Sequence, residues 1–172
     1  MSRRELAIAA AAAATIGLMV SAGSSNAALP IESIDRIFVD KSAHRMTVFA
    51  NGRKVRTFSV SLGRGGLAPK RMQGDNLVPE GVYRISGRNP RSAFHLALRI
   101  DYPRPDQVAV ARKRGIDPGG DIMIHGLPKG AGWLQNAQRR VDWTRGCIAV
   151  TNAEMDWLWQ AVPDGTTIEI VQ

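Results

Sequence analysis

The chain contains one cysteine, Cys147. That count closes off several ways of building a small protein. A lone thiol makes no internal disulfide and no zinc–thiolate cluster, so the fold must be held by its own buried core. It also leaves three readings for the thiol: a buried apolar residue, an intermolecular bridge, or a reactive group. The residues around it have to decide.

The N-terminus predicts an export signal over residues 1–27. Arg3 and Arg4 form a basic n-region, Leu6 to Val20 is an alanine-dominated apolar run, and small residues follow from Ser21 to Ala28. Ser25 and Ala27 fit the −3 and −1 positions of a cleavage site, and cleavage after Ala28 fits nearly as well. An uncleaved anchor and a twin-arginine route are the alternatives; the apolar run is short beside the ~20 residues of a spanning helix. Residues 28–172 then form one domain of sufficient length for a core. The expected location is the periplasm or cell envelope, with membrane contact only during export. The formal net charge is +8. No basic helix or basic-aromatic motif accompanies it, so nucleic acid is not the expected partner. An anionic envelope or an acidic substrate suits the charge better.

The remaining sequence reads as mainly β. Ile34–Asp40, Met46–Ala50, Arg56–Leu62, Val82–Ser86, Phe94–Ile100, Asp121–His125 and Thr166–Val171 carry strand patterns, with a hairpin turn at Asn51-Gly52. Gly63–Val78 reads as a long loop, a length that signals function or flexibility. A short helix is expected within Pro103–Arg114 and a helical stretch towards the end of Gly130–Arg140. The clearest helix is Asn152–Val162. Thr151 and Glu154 form its capping box, and Met155, Leu158, Trp159 and Val162 form its apolar face, which places Trp159 in the core.

Cys147 follows a glycine at the start of an apolar strand, in Asp142-Trp143-Thr144-Arg145-Gly146-Cys147-Ile148-Ala149-Val150. A thiol reacts as thiolate, so it needs a base or a cation nearby. His125 is the candidate base, because imidazole titrates near neutrality. Arg145 can add positive potential, and Gly146 allows close backbone approach and aims amide donors. On residue type alone, Cys147 reads equally as an inert core residue and His125 as structural. His44 and His95 have no motif around them. Trp143 reads as a substrate wall or as core and rim packing, and Asp142 as fixing its loop or receiving an amine.

His125-Gly126 followed by Thr144-Arg145-Gly146-Cys147-Ile148 resembles the catalytic signature of the YkuD-type L,D-transpeptidases. Lys70, Gly74-Asp75 and Pro79-Glu80-Gly81-Val82-Tyr83 resemble an upstream stretch of the same family, with Val78 where threonine is usual. The resemblance spans Ile34 to Val171. It implies a mainly β, β-sandwich-like catalytic domain of mixed sheets with a few short helices, and no metal or cofactor. It implies that Cys147 attacks the carbonyl between residues three and four of a peptidoglycan stem peptide, with His125 as base. A backbone carbonyl near Gly126 would orient His125, and the Gly146 and Cys147 amides would hold the oxyanion. Transfer to a second stem gives a 3→3 cross-link, transfer to an envelope protein gives anchoring, and water gives hydrolysis. A carboxypeptidase or protein-releasing hydrolase, and a non-catalytic wall-binding module, are the rival readings. Two departures stand out: Ala149 replaces a usual arginine or asparagine, and Arg145 a frequent histidine. Arg145, Lys70 and Arg71 are the expected replacements for substrate binding, alongside Thr144 and Trp143.

Overall fold

A computed structural model describes residues 32–172. The expected signal segment lies outside these residues. Eight strands form one curled sheet, as the mainly β reading anticipates. They are β1 (Arg36–Asp40), β2 (Arg45–Ala50), β3 (Arg53–Ser59), β4 (Gly81–Asn89), β5 (Ala97–Ile100), β6 (Met123–His125), β7 (Ile148–Ala149) and β8 (Thr167–Val171). The sheet order is β3-β2-β1-β8-β4-β5-β6-β7. Pairing is mixed. β1 runs parallel to β8 and β6 parallel to β7, while the other neighbours are antiparallel.

Alternation drives the pairing. In β1, β2 and β8 every second residue is buried, so Ile37, Val39, Met46, Val48, Ile168 and Ile170 face one core. Each such fully buried aliphatic side chain stabilises the fold by about 1.5–3 kcal/mol. β4 is long enough to serve two partners. Gly81–Arg84 pair with β8 and Ile85–Asn89 with β5, across an irregularity between Ile85 and Gly87. The sheet turns there. Its far ends meet again, because Ser61, just past β3, bridges Ala149 of β7. Among the described residues no helix is long and apolar enough to cross a membrane.

Two α-helices cover the sheet, α1 (Pro105–Lys113) and α2 (Asn152–Ala161). The capping box of α2 forms as expected: Thr151 Oγ1 accepts from the Glu154 amide, and Glu154 accepts from the Thr151 amide at 2.9 Å. Met155, Leu158 and Val162 are fully buried. Trp159 corrects the expectation. It packs against the core but stays half-buried under the Arg88 guanidinium, 4.9 Å from its ring. The helical stretch after Gly130 is a 3-10 segment, Gly132–Arg140, broken at Gln135 by non-helical backbone.

Several strands are shorter than their apolar patterns, β6 among them, which covers only Met123–His125 of Asp121–His125. The Phe94–Ile100 pattern pairs only from Ala97, because His95 takes a left-handed φ of 62° that ends the ladder. Past Ser59 the chain leaves β2 to reach β7 and Thr144. The long loop is confirmed. It is pinned by Lys41, a fully buried lysine whose Nζ donates to the Ala68 and Val78 carbonyls and, at 2.6 Å, to Glu80.

Candidate active site

Cys147 precedes β7, and His125 ends β6. The two strands pair in parallel with His125 opposite Ala149, two residues beyond Cys147, so the thiol and the imidazole fall on the same face of the pairing. Both side chains line a cleft of about 270 Å³ with Ser92, Phe94, Asp121 and Met123. His125 is 4 % exposed. Its Nδ1 lies 2.7 Å from the Gly126 carbonyl oxygen, which only accepts, so Nδ1 carries the proton and Nε2 is the free base. The orienting group is thus a backbone carbonyl, at the position expected from the sequence.

Gly126 is fixed in turn. Its amide is shared between the Phe94 and Leu96 carbonyls, and Asn152 Oδ1 takes the next amide, Leu127, at 2.8 Å. A Cβ at position 126 would meet Asn152 Oδ1 at 2.7 Å and His95 Cβ at 2.9 Å, so only glycine fits.

Two aromatic rings flank the imidazole. Phe94 lies 4.6 Å from it centroid to centroid, and Trp143 stands edge-on at 5.6 Å. Trp143 is half-buried, and its indole N–H donates to Gln138 Oε1. These rings exclude water. Burial accordingly lowers the His125 pKa below its ordinary value, against the raising effect of the Gly126 hydrogen bond. Burial also raises the Cys147 thiol, and the Asp121 charge adds to this, while a Met123 backbone bond and the Lys70 charge oppose it. Both shifts favour the neutral thiol and neutral imidazole at rest.

The loop carrying Cys147 is held by its own hydroxyl. Thr144 Oγ1 donates to the Cys147 carbonyl at 2.8 Å and accepts from the Gly146 amide at 3.2 Å. That engages the Gly146 amide within the loop. Gly146 has a φ of 115°, and a Cβ there would meet the Leu77 carbonyl oxygen at 2.7 Å. Asp142 settles as a fixing residue: Oδ1 accepts from the Leu62 amide at 2.8 Å and Oδ2 pairs with His44 at 2.9 Å.

A second cleft, about 420 Å³, lies along Cys147 and Asp121. It is lined by Arg64, Lys70, Gln73, Asn76 and Arg145. The expected binding residues separate here. Lys70 is nearly fully buried and tied to Asp75 at 2.8 Å and the Met72 carbonyl at 3.0 Å. Arg71 lines an adjoining hollow against α1 rather than the cleft of the thiol. Arg145 does line it, beside Arg64, which no motif singles out. Arg64 sits 81 residues earlier and arrives through the Gly63–Thr144 bridge. Asn152 and Phe94 were likewise unannounced, being chemically ordinary until the fold places them.

The YkuD family profile, described as the L,D-transpeptidase catalytic domain, matches residues 34–170. YafK of Escherichia coli (strain K12), named as a candidate L,D-transpeptidase, is 33 % identical over 100 residues, which are 57 % of this chain and 33 % of YafK. YqjB of Bacillus subtilis (strain 168), similarly named, is 26 % identical over 144 residues, 82 % of this chain and 73 % of YqjB. This chain thus matches about one third of the length of YafK. Among solved structures, the helical cell shape determining protein Pgp2 of Campylobacter jejuni superposes with a TM-score of 0.63 at 24 % identity, over 82 % of this chain and 48 % of Pgp2. An L,D-transpeptidase from Mycobacterium smegmatis gives 0.54 at 18 % identity, over 81 % and 59 %. These two show the fold. With the profile spanning residues 34–170, nearly every described strand, the chain belongs to the YkuD family of L,D-transpeptidase catalytic domains.

Proposed function

We propose that this protein is an exported peptidoglycan L,D-transpeptidase of the cell envelope, in which Cys147 is the nucleophile and His125 the general base. The observation that carries the reading is the imidazole's orientation. Nδ1 is spent on the Gly126 carbonyl, and the remaining nitrogen belongs to a ring that shares a cleft with the only thiol in the chain.

The chemistry follows from that pair. As Sγ adds to the stem-peptide carbonyl, its proton passes to Nε2 of His125. The Cys147 amide stabilises the oxyanion. The C–N bond then breaks, and the imidazolium returns the proton to the departing D-alanine amine. The acyl group is left as a thioester on Cys147. An incoming amine gives its proton to Nε2, attacks the thioester carbonyl and expels Sγ, which regains the proton. The amide product is a cross-link between stems or an attachment to an envelope protein. Because the resting pair is neutral, the ion pair forms only along the reaction coordinate.

The test is product analysis by mass spectrometry on purified protein with tetrapeptide stems and excess acceptor stem. Dimers, with loss of D-alanine, are expected, and Cys147→Ala should form neither dimer nor thioester. Tripeptide alone, with acceptor abundant, would replace transfer by hydrolysis. Equal behaviour of wild type and Cys147→Ala would remove the enzymatic reading altogether.

A further inference from the structure

Cys147 and Asp121 stand between two clefts of opposite character. One holds His125, Phe94 and Met123. The other carries Arg64 and Arg145. The backbones that carry these two arginines are held side by side. Gly63 and Thr144 form a parallel bridge, and the Arg64 amide donates to the Thr144 carbonyl at 3.0 Å. Arg64 and Arg145 each follow a bridged residue, so they occupy neighbouring positions on adjacent chains. Both are exposed. Like charges set opposite one another across two chains repel and destabilise.

Nothing nearby relieves that repulsion. Neither guanidinium has an ion-pair or hydrogen-bond partner among the described residues. Asp121, the acid that lines the same cleft, is paired with Arg99, and Asp75 nearby in the loop with Lys70. A basic pair of this kind, at the mouth of a cleft that ends on a nucleophile, matches a carboxylate. Guanidinium binds carboxylate through paired, charge-assisted hydrogen bonds.

The position of His125 decides which part of a substrate lies there. The imidazole must hand its proton to the leaving amine and later take one from the incoming amine. Both amines therefore use the His125 side of the thiol. The acyl portion that stays on Cys147 must extend the other way, towards Arg64 and Arg145. We infer that Arg64 and Arg145 together form a carboxylate clamp for the acyl donor, selecting stem peptides whose retained portion carries a free carboxylate on the third residue over those in which it is amidated. This deepens the proposed transpeptidase function and rests on it. It also places the recognising charge outside position 149. Ala149 is fully buried and bonded to Ser61 on one side and paired with His125 on the other.

The test is a binding measurement that needs no turnover. Cys147→Ala protein is titrated by calorimetry with two stem tetrapeptides that differ only in a free or amidated carboxylate on a diamino-diacid third residue. The free acid should bind about tenfold more tightly or better, as charge-assisted bonds of this kind allow. With Arg64→Ala and Arg145→Ala added, the two peptides should bind within about twofold of each other. Arg64→Lys with Arg145→Lys should recover part of the difference, because charge returns without the paired geometry. The clamp is overturned if amidation makes no difference, if the difference survives loss of both arginines, or if neither peptide binds. Loss of transfer activity in wild type, with the carboxylate preference intact, would instead remove the transpeptidase reading and leave the clamp standing.

Discussion

Asp75→Asn is the substitution whose consequence can be worked out most fully. Asp75 closes the long loop that walls the basic cleft. Its carboxylate accepts from Lys70 Nζ at 2.8 Å and from the amides of Arg71 and Met72 at 2.7 and 2.9 Å, with Leu77 at 3.1 Å. Burial alone would raise its pKa. The ammonium and the amides outweigh that and hold it at about 2, against an ordinary 3.8. A depressed carboxyl stabilises the fold above its unfolded pKa, and the contribution is lost as pH falls through the folded value. At roughly 1.4 kcal/mol per pKa unit, and allowing for solvent at the loop surface, the ionised carboxylate contributes about 2 kcal/mol at neutral pH. Asparagine keeps the shape and removes the charge. Urea unfolding at pH 7 should therefore show Asp75→Asn less stable by about 2 kcal/mol, with Tm lower by on the order of 5 °C. The gap should shrink as pH falls from about 4 and vanish near pH 1, where wild type is protonated too. A gap independent of pH would mean that shape, not charge, holds the loop, and the reasoning would fail.

Two further outcomes follow from the site. The neutral imidazole is the reactive form and burial lowers the His125 pKa, so the acid limb of kcat/KM against pH should fall below 6.5, the ordinary histidine value; a limb at or above 6.5 would contradict a buried neutral base. Gly146→Ala combines a φ of 115° with a Cβ 2.7 Å from the Leu77 oxygen, and should lower stability by about 2 kcal/mol or more and slow thioester formation at least tenfold, measured by thermal unfolding and intact-mass kinetics. An unchanged acylation rate would show that the loop before Cys147 can shift without cost.

What the sequence revealed was local. Runs of β-branched and apolar residues located β1, β2 and β8, Asn51-Gly52 located the hairpin turn, and Thr151 with Glu154 located the start of α2. Each of these signals is carried by residues within one element. His125 and Cys147 were legible for another reason, since resemblance to a family supplies a pairing that spacing does not. The rest depended on distant strands. The parallel pairing of β1 with β8 joins Ile37 to Ile168, and no short-range pattern encodes it. Arg64 became interesting only once Gly63 met Thr144, and His44 once Asp142 came within 2.9 Å. His95 shows the opposite failure. The strand pattern ran through it, but one left-handed residue ended the ladder and swung Phe94 over the imidazole.

The two-residue strand that follows Cys147 has a further consequence, for when the site comes together. β7 is too short to exist alone. It is held on one side by Ile124 and His125 and on the other by Ser61, partners far away along the chain. Contacts of such high sequence separation form late, because loop-closure entropy must be met first. Until then the chain carries an ordinary thiol with no base beside it and no cleft in front of it. The closing of the sheet on itself is thus also the arming step. A partly unfolded molecule lacks that pairing, so acylation that depends on His125 should report completed folding rather than mere presence of the protein.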